Sequence, residues 1–153
     1  MEFQGPRIRS LANMSEGRTR RSLSSGSSSP ARIFVVDDED FIRELYKDRF
    51  EACGHTVFSA RDGDEAIKIF REMENKPDCI IMDHRMPGRD GIQTTREILK
   101  LDPSIPIIFS SADESIRQQA LDAGAVSFWA KPFPIGMLID ATVSIVNGKK
   151  RGL

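Results

Sequence analysis

The sequence has few cysteines, no long apolar run and no excess of positive charge. Of its 153 residues only two are cysteines, Cys53 and Cys79, and their spacing matches neither a CxxC pair nor a Cys/His metal site. Both lie in apolar-rich segments, so we expect reduced thiols in a cytosolic core and no disulfide. No apolar run approaches the roughly 18–20 residues that a membrane-spanning helix needs, so we expect no membrane insertion. The 22 basic residues are balanced by 23 acidic ones, which argues against direct nucleic-acid binding through a positive surface.

Residues 1–30 have a composition of their own. They hold eight serines and five arginines, and only Glu2 and Glu16 are acidic. Such a segment cannot bury enough apolar surface to fold, so we expect a disordered Ser/Arg-rich tail. The same composition also fits an organelle transit peptide, although no clear amphipathic helix accompanies it. We therefore divide the chain into a tail over 1–30, a folded domain over 31–148 and a short basic tail over 149–153.

From residue 31 onward, short apolar runs alternate five times with amphipathic ones. The predicted strands are RIFVV (32–36), HTVFSA, DCIIMD, IIFSS and AVSFWA, and a helix follows each. The first helix is predicted to bury Phe41, Ile42, Leu45, Tyr46 and Phe50. Strands that are apolar throughout need cover on both faces, which indicates a parallel sheet with helices on each side. The prediction is an α/β fold: a (βα)5 flavodoxin-like doubly wound parallel sheet with strand order 2-1-3-4-5.

The segment IIMDHRMPGRDG (80–91) ends an apolar strand on the carboxylate of Asp83 and turns at once into a loop. Asp37 and Asp38 end the first strand, which neighbours the third in the predicted order, so the three carboxylates should share one crevice. Crowded carboxylates raise one another's pKa and oppose folding. A hard divalent cation relieves this, and Mg²⁺ typically takes one or two carboxylates together with phosphate oxygens.

Two further strand ends add what a phosphoryl-transfer site requires. Ser111 closes the fourth strand with a hydroxyl, and Lys131 follows the fifth strand with a compact positive charge. Taken alone, an aspartate at such a junction is usually a helix cap, and a lysine before proline usually lies on the surface. Here an acid pair, a third acid, a hydroxyl and a lysine lie at four strand ends of one sheet. This combination favours a functional site instead.

Over about residues 31–148 the chain resembles the receiver domain of two-component response regulators, of the chemotaxis-regulator type. The matching segments are VVDDE (35–39), IIMDHRMPGRDG (80–91), IIFSSA (107–112), AGA (123–125) and KPF (131–133). Each motif is short, but their order and spacing are together highly specific. The resemblance implies that Asp83 accepts a phosphoryl group from the phosphohistidine of a histidine kinase or phosphotransfer protein.

The same resemblance implies roles for the remaining site residues. Asp37, Asp38, Asp83 and the carbonyl of Arg85 would hold Mg²⁺. Lys131, whose bond to Pro132 is typically cis in this family, would pair with the phosphoryl oxygens. Ser111 would swing inward to the phosphoryl group, and Phe128 would rotate with it. The surface expected to respond comprises helix 114–122, strand 126–130 and helix 134–147.

We therefore expect a cytoplasmic signalling switch that catalyses only its own phosphorylation and dephosphorylation. No output segment follows the last helix, so the signal would pass through binding to an unknown downstream protein. Two alternatives remain open. One is a phosphatase or phosphotransferase with an aspartyl intermediate on DDED (37–40), and the other is a receiver fragment of a longer regulator.

A few residues near the motifs carry narrower expectations. Arg85 and Asp113 are expected to face each other above the phosphoryl group and to slow its hydrolysis, unless they are simply two solvated charges. His84 is expected to pack on the surface, with a phosphorelay or metal role less favoured. Trp129 and Ser110 are expected to face the side of the sheet opposite to Phe128 and Ser111.

Overall fold

The computed structural model describes residues 30–150 and residue 152. Almost all of the predicted tail over 1–30, and residues 151 and 153 of the predicted basic tail, lie outside the described residues. Within residues 30–150 no helix has both the length and the apolar character that would let it cross a bilayer.

Within residues 30–150, five strands and five helices alternate. The strands are β1 (Arg32–Val36), β2 (Thr56–Ala60), β3 (Cys79–Met82), β4 (Ile107–Ser111) and β5 (Ser127–Ala130). The helices are α1 (Asp40–Ala52), α2 (Gly63–Glu72), α3 (Gly91–Leu101), α4 (Arg117–Ala123) and α5 (Ile135–Lys150), with a 3-10 turn at Glu114–Ile116. All strand pairs are parallel, in the order β2-β1-β3-β4-β5. The predicted flavodoxin-like doubly wound (βα)5 sheet is therefore confirmed.

Buried side chains form one apolar layer on each face of the sheet, because successive strand residues point to opposite sides. The layer beneath α2, α3 and α4 includes Phe34, Ile80, Phe109 and Phe128. The layer beneath α1 and α5 includes Ile33, Ile81, Ile108, Tyr46 and Leu138, with Trp129 packed against it. The prediction that Trp129 and Phe128 occupy opposite faces is thus confirmed.

Three local predictions were wrong in detail. Phe41 is 73% exposed, because it lies on the side of α1 away from the buried Tyr46 and Phe50, whereas its neighbour Ile42 packs against the apolar layer. Cys53 is exposed at the end of α1, whereas Cys79 is buried in the core, although both are free thiols as expected. The predicted helix over 114–122 begins as a 3-10 turn, since the side chain of Asp113 accepts the backbone N–H of Ser115.

Candidate functional site

The pairing register brings the polar strand ends together. β1 and β3 pair through their last residues, so Asp37 and Asp83, which follow them, start side by side. The Asp83 N–H donates to the carbonyl of Val36 at 2.9 Å. On the other side, β4 and β5 end in register, and the Lys131 N–H donates to the carbonyl of Ser111 at 2.9 Å. The predicted convergence of these four polar residues at one sheet edge is observed.

The floor of the resulting cleft consists of Asp37, Asp83, Ser111 and Lys131. The Lys131 ammonium lies between the two carboxylates, 3.2 Å from Asp37 Oδ2 and 3.5 Å from Asp83 Oδ1. Asp37 is 2% exposed and Asp83 is 8% exposed. These are buried charges, and one cation is shared between two anions.

The electrostatics of the floor favour a further cation. Burial, together with the Asp37 carboxylate, raises the pKa of Asp83 to about 6, even though Lys131 acts in the opposite direction. Burial alone would lower the pKa of Lys131, but the Asp83 and Asp37 carboxylates outweigh it and the pKa is raised. Lys131 is therefore protonated at neutral pH, and its single charge does not balance two buried carboxylates.

Three carboxylates form the candidate metal site. Oxygens of Asp37, Asp38 and Asp83 all lie within 4.8 Å of one another. Asp37 is fixed in place because its Oδ1 accepts the Glu39 N–H at 2.9 Å and its carbonyl accepts Arg43 Nη1 at 2.7 Å. Converging carboxylate oxygens with residual negative charge fit a hard divalent cation such as Mg²⁺. The role of Arg43 was not predicted, since nothing in its spacing indicated a contact with the backbone of Asp37.

The mouth of the cleft consists of Asp38, Arg85 and Asp113. Arg85 Nη2 lies 3.5 Å from Asp113 Oδ2, so the two side chains do face each other as predicted. The Arg85 side chain is 81% exposed, which makes this a solvated contact. The pKa of Asp113 is lowered, first by its hydrogen bonds to Ser115 and then by Arg85. The open cleft above Asp83, Ser111 and Lys131 has a volume of about 450 Å³, and Asp37 does not line it.

The two serines at the end of β4 face opposite sides, as expected from strand alternation. The Ser111 hydroxyl belongs to the floor, where it accepts the Asp113 N–H at 3.1 Å, and Ser111 is 2% exposed. The Ser110 hydroxyl lies 3.2 Å from the Tyr46 hydroxyl on the other face. This buried contact ties α1 to β4 and was not predicted.

The loop after Asp83 is shaped by a glycine that the sequence analysis did not single out. The Gly91 N–H donates to the carbonyl of His84 at 2.9 Å. A Cβ added at Gly91 would overlap the carbonyl oxygen of Asp83. The His84 ring lies 6.2 Å from that of Phe109, which favours the predicted packing role. Its Nδ1 is buried and has no hydrogen-bond partner among residues 30–150.

The loop after β5 follows the pattern that the resemblance implied. The Lys131–Pro132 peptide bond is cis. Phe133 packs edge-on against Trp129 with ring centroids 5.4 Å apart. The Phe128 side chain is buried, 8% exposed, in the layer beneath α4.

Comparison with known proteins identifies the class. A family model for the response regulator receiver domain matches residues 33–143. The chain is 37% identical over 113 residues to the chemotaxis protein CheY of Thermotoga maritima. This alignment covers 72% of this chain and 92% of CheY. It is also 34% identical to the response regulator MprA of a Mycobacterium species, covering 72% of this chain but only 48% of the relative.

A solved structure of a response regulator has the same fold as this chain. The response regulator protein TrrA of Thermotoga maritima, crystallised with Mg²⁺ and beryllofluoride, is 32% identical and superposes with a TM-score of 0.69. The alignment covers 75% of this chain and 98% of TrrA. The chain therefore belongs to the response regulator receiver domain family. It is a phosphorylation-activated switch of two-component signalling, a class that interacts with histidine kinases or phosphotransfer proteins and with downstream partners.

Proposed function

We propose that Asp83 is the residue that accepts the phosphoryl group in this switch. One observation carries the proposal: the Asp83 carboxylate lies on the cleft floor beside a second buried carboxylate, with the Lys131 ammonium 3.5 Å away. A carboxylate held next to a fixed cation is a suitable nucleophile for a phosphoryl group whose oxygens the cation can then bind. Asp83 is also accessible from the cleft mouth, whereas Asp37 is more deeply buried.

The proposed reaction is one displacement at phosphorus. An oxygen of Asp83 attacks the phosphorus of a phosphohistidine on the donor protein, the new O–P bond forms, and the P–N bond to the imidazole breaks. The imidazole leaves with the electron pair of that bond. Lys131 pairs with the phosphoryl oxygens during transfer and remains paired with them in the product. Hydrolysis by water regenerates the carboxylate and releases inorganic phosphate, so the chain acts only on its own side chain.

Mg²⁺ is the proposed cofactor, held by Asp37, Asp38 and Asp83 with the backbone carbonyl of Arg85. Support comes from the carboxylate oxygens that converge within 4.8 Å and from the unbalanced negative charge on the floor. When bound, the ion would offset the charge that gathers on the phosphoryl oxygens. The magnesium in the TrrA complex is consistent with this assignment.

Signalling is proposed to start at Ser111. Its hydroxyl at present accepts the Asp113 N–H, and it can rotate to donate to a phosphoryl oxygen on Asp83. A shift of β4 toward the cleft then leaves space that favours the inward, buried orientation of Phe128, and the surface formed by α4, β5 and α5 changes with it. Downstream proteins would bind this surface. We propose this role for the domain over 31–148, in the cytoplasm and without direct contact to nucleic acid.

Intact-mass spectrometry after incubation with acetyl phosphate and MgCl₂ tests the proposal. We expect an adduct with the mass of one phosphoryl group, absent when EDTA replaces MgCl₂ and absent in Asp83→Asn. Asp140→Asn, which changes an exposed aspartate on α5, is the matched control and should keep the adduct. An adduct that persists in Asp83→Asn would instead indicate Asp37 or Asp38 as the nucleophile. That result would favour the alternative of a phosphatase or phosphotransferase with an aspartyl intermediate.

A further inference from the structure

The Phe128 ring lies in a slot with different walls on its two sides. On the inner side, the Phe109 ring lies nearly parallel to it, with centroids 6.2 Å apart and an interplanar angle of 14°. On the outer side, the guanidinium carbon of Arg117 lies 4.7 Å from the ring centroid. Arg117 is the first residue of α4, and its side chain is 48% exposed. A cation at the surface is therefore part of the outer cover of this ring.

Arg117 is held over the ring by two further contacts. Its Nη1 donates to the carbonyl of Phe128 at 3.4 Å, and its Nη2 lies 3.5 Å from Glu114 Oε1 in the preceding 3-10 turn. Both contacts are long, so neither is strong alone. Together they keep the guanidinium plane over the ring and near the backbone of β5.

We propose that Arg117 is a positioning residue that holds Phe128 in its buried orientation, so that the switch rests near its signalling conformation before phosphorylation. The proposal goes beyond the assignment of Asp83 and rests on the proposed role of Phe128 in the switch. Phe128 has no hydroxyl, so an outward orientation gains no hydrogen bond of its own. The inward orientation gains the stacking on Phe109 and the cation–π contact with Arg117.

The size of the effect follows from the strength of a partly exposed cation–π contact. Losing it should change the ratio of buried to exposed Phe128 by about two- to fivefold. A ligand that binds the buried orientation better will then produce a larger structural change in the variant than in the wild type, because more molecules start from the exposed orientation.

Trp129 offers a direct reporter, since it is the only tryptophan in the chain and follows Phe128 on β5. Biosynthetic 5-fluorotryptophan would give one ¹⁹F NMR signal, measured with MgCl₂ alone and with saturating beryllofluoride. In the wild type we expect the signal with MgCl₂ alone to lie close to its beryllofluoride position. In Arg117→Ala it should move away from that position, and beryllofluoride should bring it back.

Three variants separate positioning from general packing. Arg117→Lys keeps a cation and should restore part of the wild-type position, whereas Arg117→Met keeps only the apolar stem and should behave like Arg117→Ala. Gln118→Ala, which removes an exposed hydrogen bond to Asp122 on the same helix, should leave the signal unchanged. Identical signals for the wild type and Arg117→Ala with MgCl₂ alone would overturn the proposal, as would Arg117→Met behaving like the wild type.

Failure of the Asp83 assignment would give a different result. In that case beryllofluoride would shift the Arg117→Ala signal equally with and without the additional Asp83→Asn substitution, or would shift it in neither variant. The comparison of the wild type with Arg117→Ala in MgCl₂ alone does not depend on that outcome.

Discussion

The floor and the mouth of the cleft carry the same kinds of charged group in opposite surroundings. On the floor, Lys131 lies 3.2 Å and 3.5 Å from two carboxylates that are nearly inaccessible to water. At the mouth, Arg85 faces Asp113 at 3.5 Å, but its side chain is 81% exposed. The charged groups of the floor and of the mouth thus have similar separations but very different exposure to solvent.

The difference predicts where the large effects will be found. Removing the single cation of this buried group leaves two carboxylates uncompensated, whereas an exposed pair is screened and contributes little. We therefore expect the floor to determine whether phosphorylation occurs and the mouth to adjust only how long the product lasts. Substitutions on the floor and at the mouth test this difference.

The largest effect is expected on the floor, at Lys131. Lys131→Met removes the only basic side chain of the floor and should slow phosphorylation by acetyl phosphate by about 10²-fold, as loss of one charge-stabilising donor does in enzymes. Stopped-flow fluorescence of Trp129 in excess MgCl₂ measures the rate. Lys100→Met, an exposed lysine paired with Glu97 on α3, is the matched control. Equal rates for the wild type and Lys131→Met would show that Lys131 does not assist phosphoryl transfer.

The close contact between Gly91 and the backbone of Asp83 should be nearly as sensitive to substitution. In Gly91→Ala the new methyl group would meet the Asp83 carbonyl, so the loop must shift, at a cost of about 1–3 kcal/mol in the free energy of unfolding. Phosphorylation should slow as well, because the acceptor is displaced. Urea denaturation and the acetyl phosphate rate measure the two effects. Gly136→Ala on α5, where a Cβ meets nothing within 4 Å, should be neutral or stabilising.

Asp83→Asn should stabilise the metal-free protein, since it removes one of the crowded carboxylates. The folded-state pKa of Asp83 is raised from 3.8 to about 6, so ionising this group in the folded chain costs free energy that ionisation in the unfolded chain does not. The gain should be small at pH 4 and reach about 1–2 kcal/mol above pH 7, after allowance for solvent screening. Urea denaturation in EDTA at both pH values measures it, and a gain that does not grow with pH contradicts the electrostatic explanation.

The smallest effect is expected at the mouth. Asp113→Ala frees Arg85 and should shorten the lifetime of the aspartyl phosphate by less than about fivefold, because the pair is exposed. Loss of the adduct over time by mass spectrometry measures the lifetime. Asp64→Ala, which breaks an exposed pair with Arg89 outside the cleft, is the control. Equal lifetimes in the wild type and Asp113→Ala would reduce the Arg85–Asp113 contact to two solvated charges.

The sequence allowed the sheet and the strand-end residues to be predicted for one physical reason. Hydrophobic periodicity locates the strands, and parallel strands place their carboxyl ends at one edge, so Asp83 and Lys131 are brought together by topology alone. No knowledge of rotamers is needed for that step. The same logic correctly separated Ser110 from Ser111.

What could not be predicted depends on side-chain directions and close approaches. Arg43 reaches the carbonyl of Asp37, and Arg117 covers Phe128, through long side chains whose targets no spacing rule specifies. Gly91 matters because of one carbonyl in another segment. Phe41 lies off the helical face that carries Ile42, Tyr46 and Phe50, so its apolar character alone assigned it wrongly to the core.

Reductive trapping of the phosphorylated protein tests the central claim most directly. Borohydride converts an aspartyl phosphate to homoserine, and peptide mass spectrometry then locates the modified residue after treatment with acetyl phosphate and MgCl₂. We expect homoserine at position 83, and none when MgCl₂ is replaced by EDTA. Homoserine at position 37 or 38 instead would contradict the assignment of the floor, and with it the mechanism derived from Asp83.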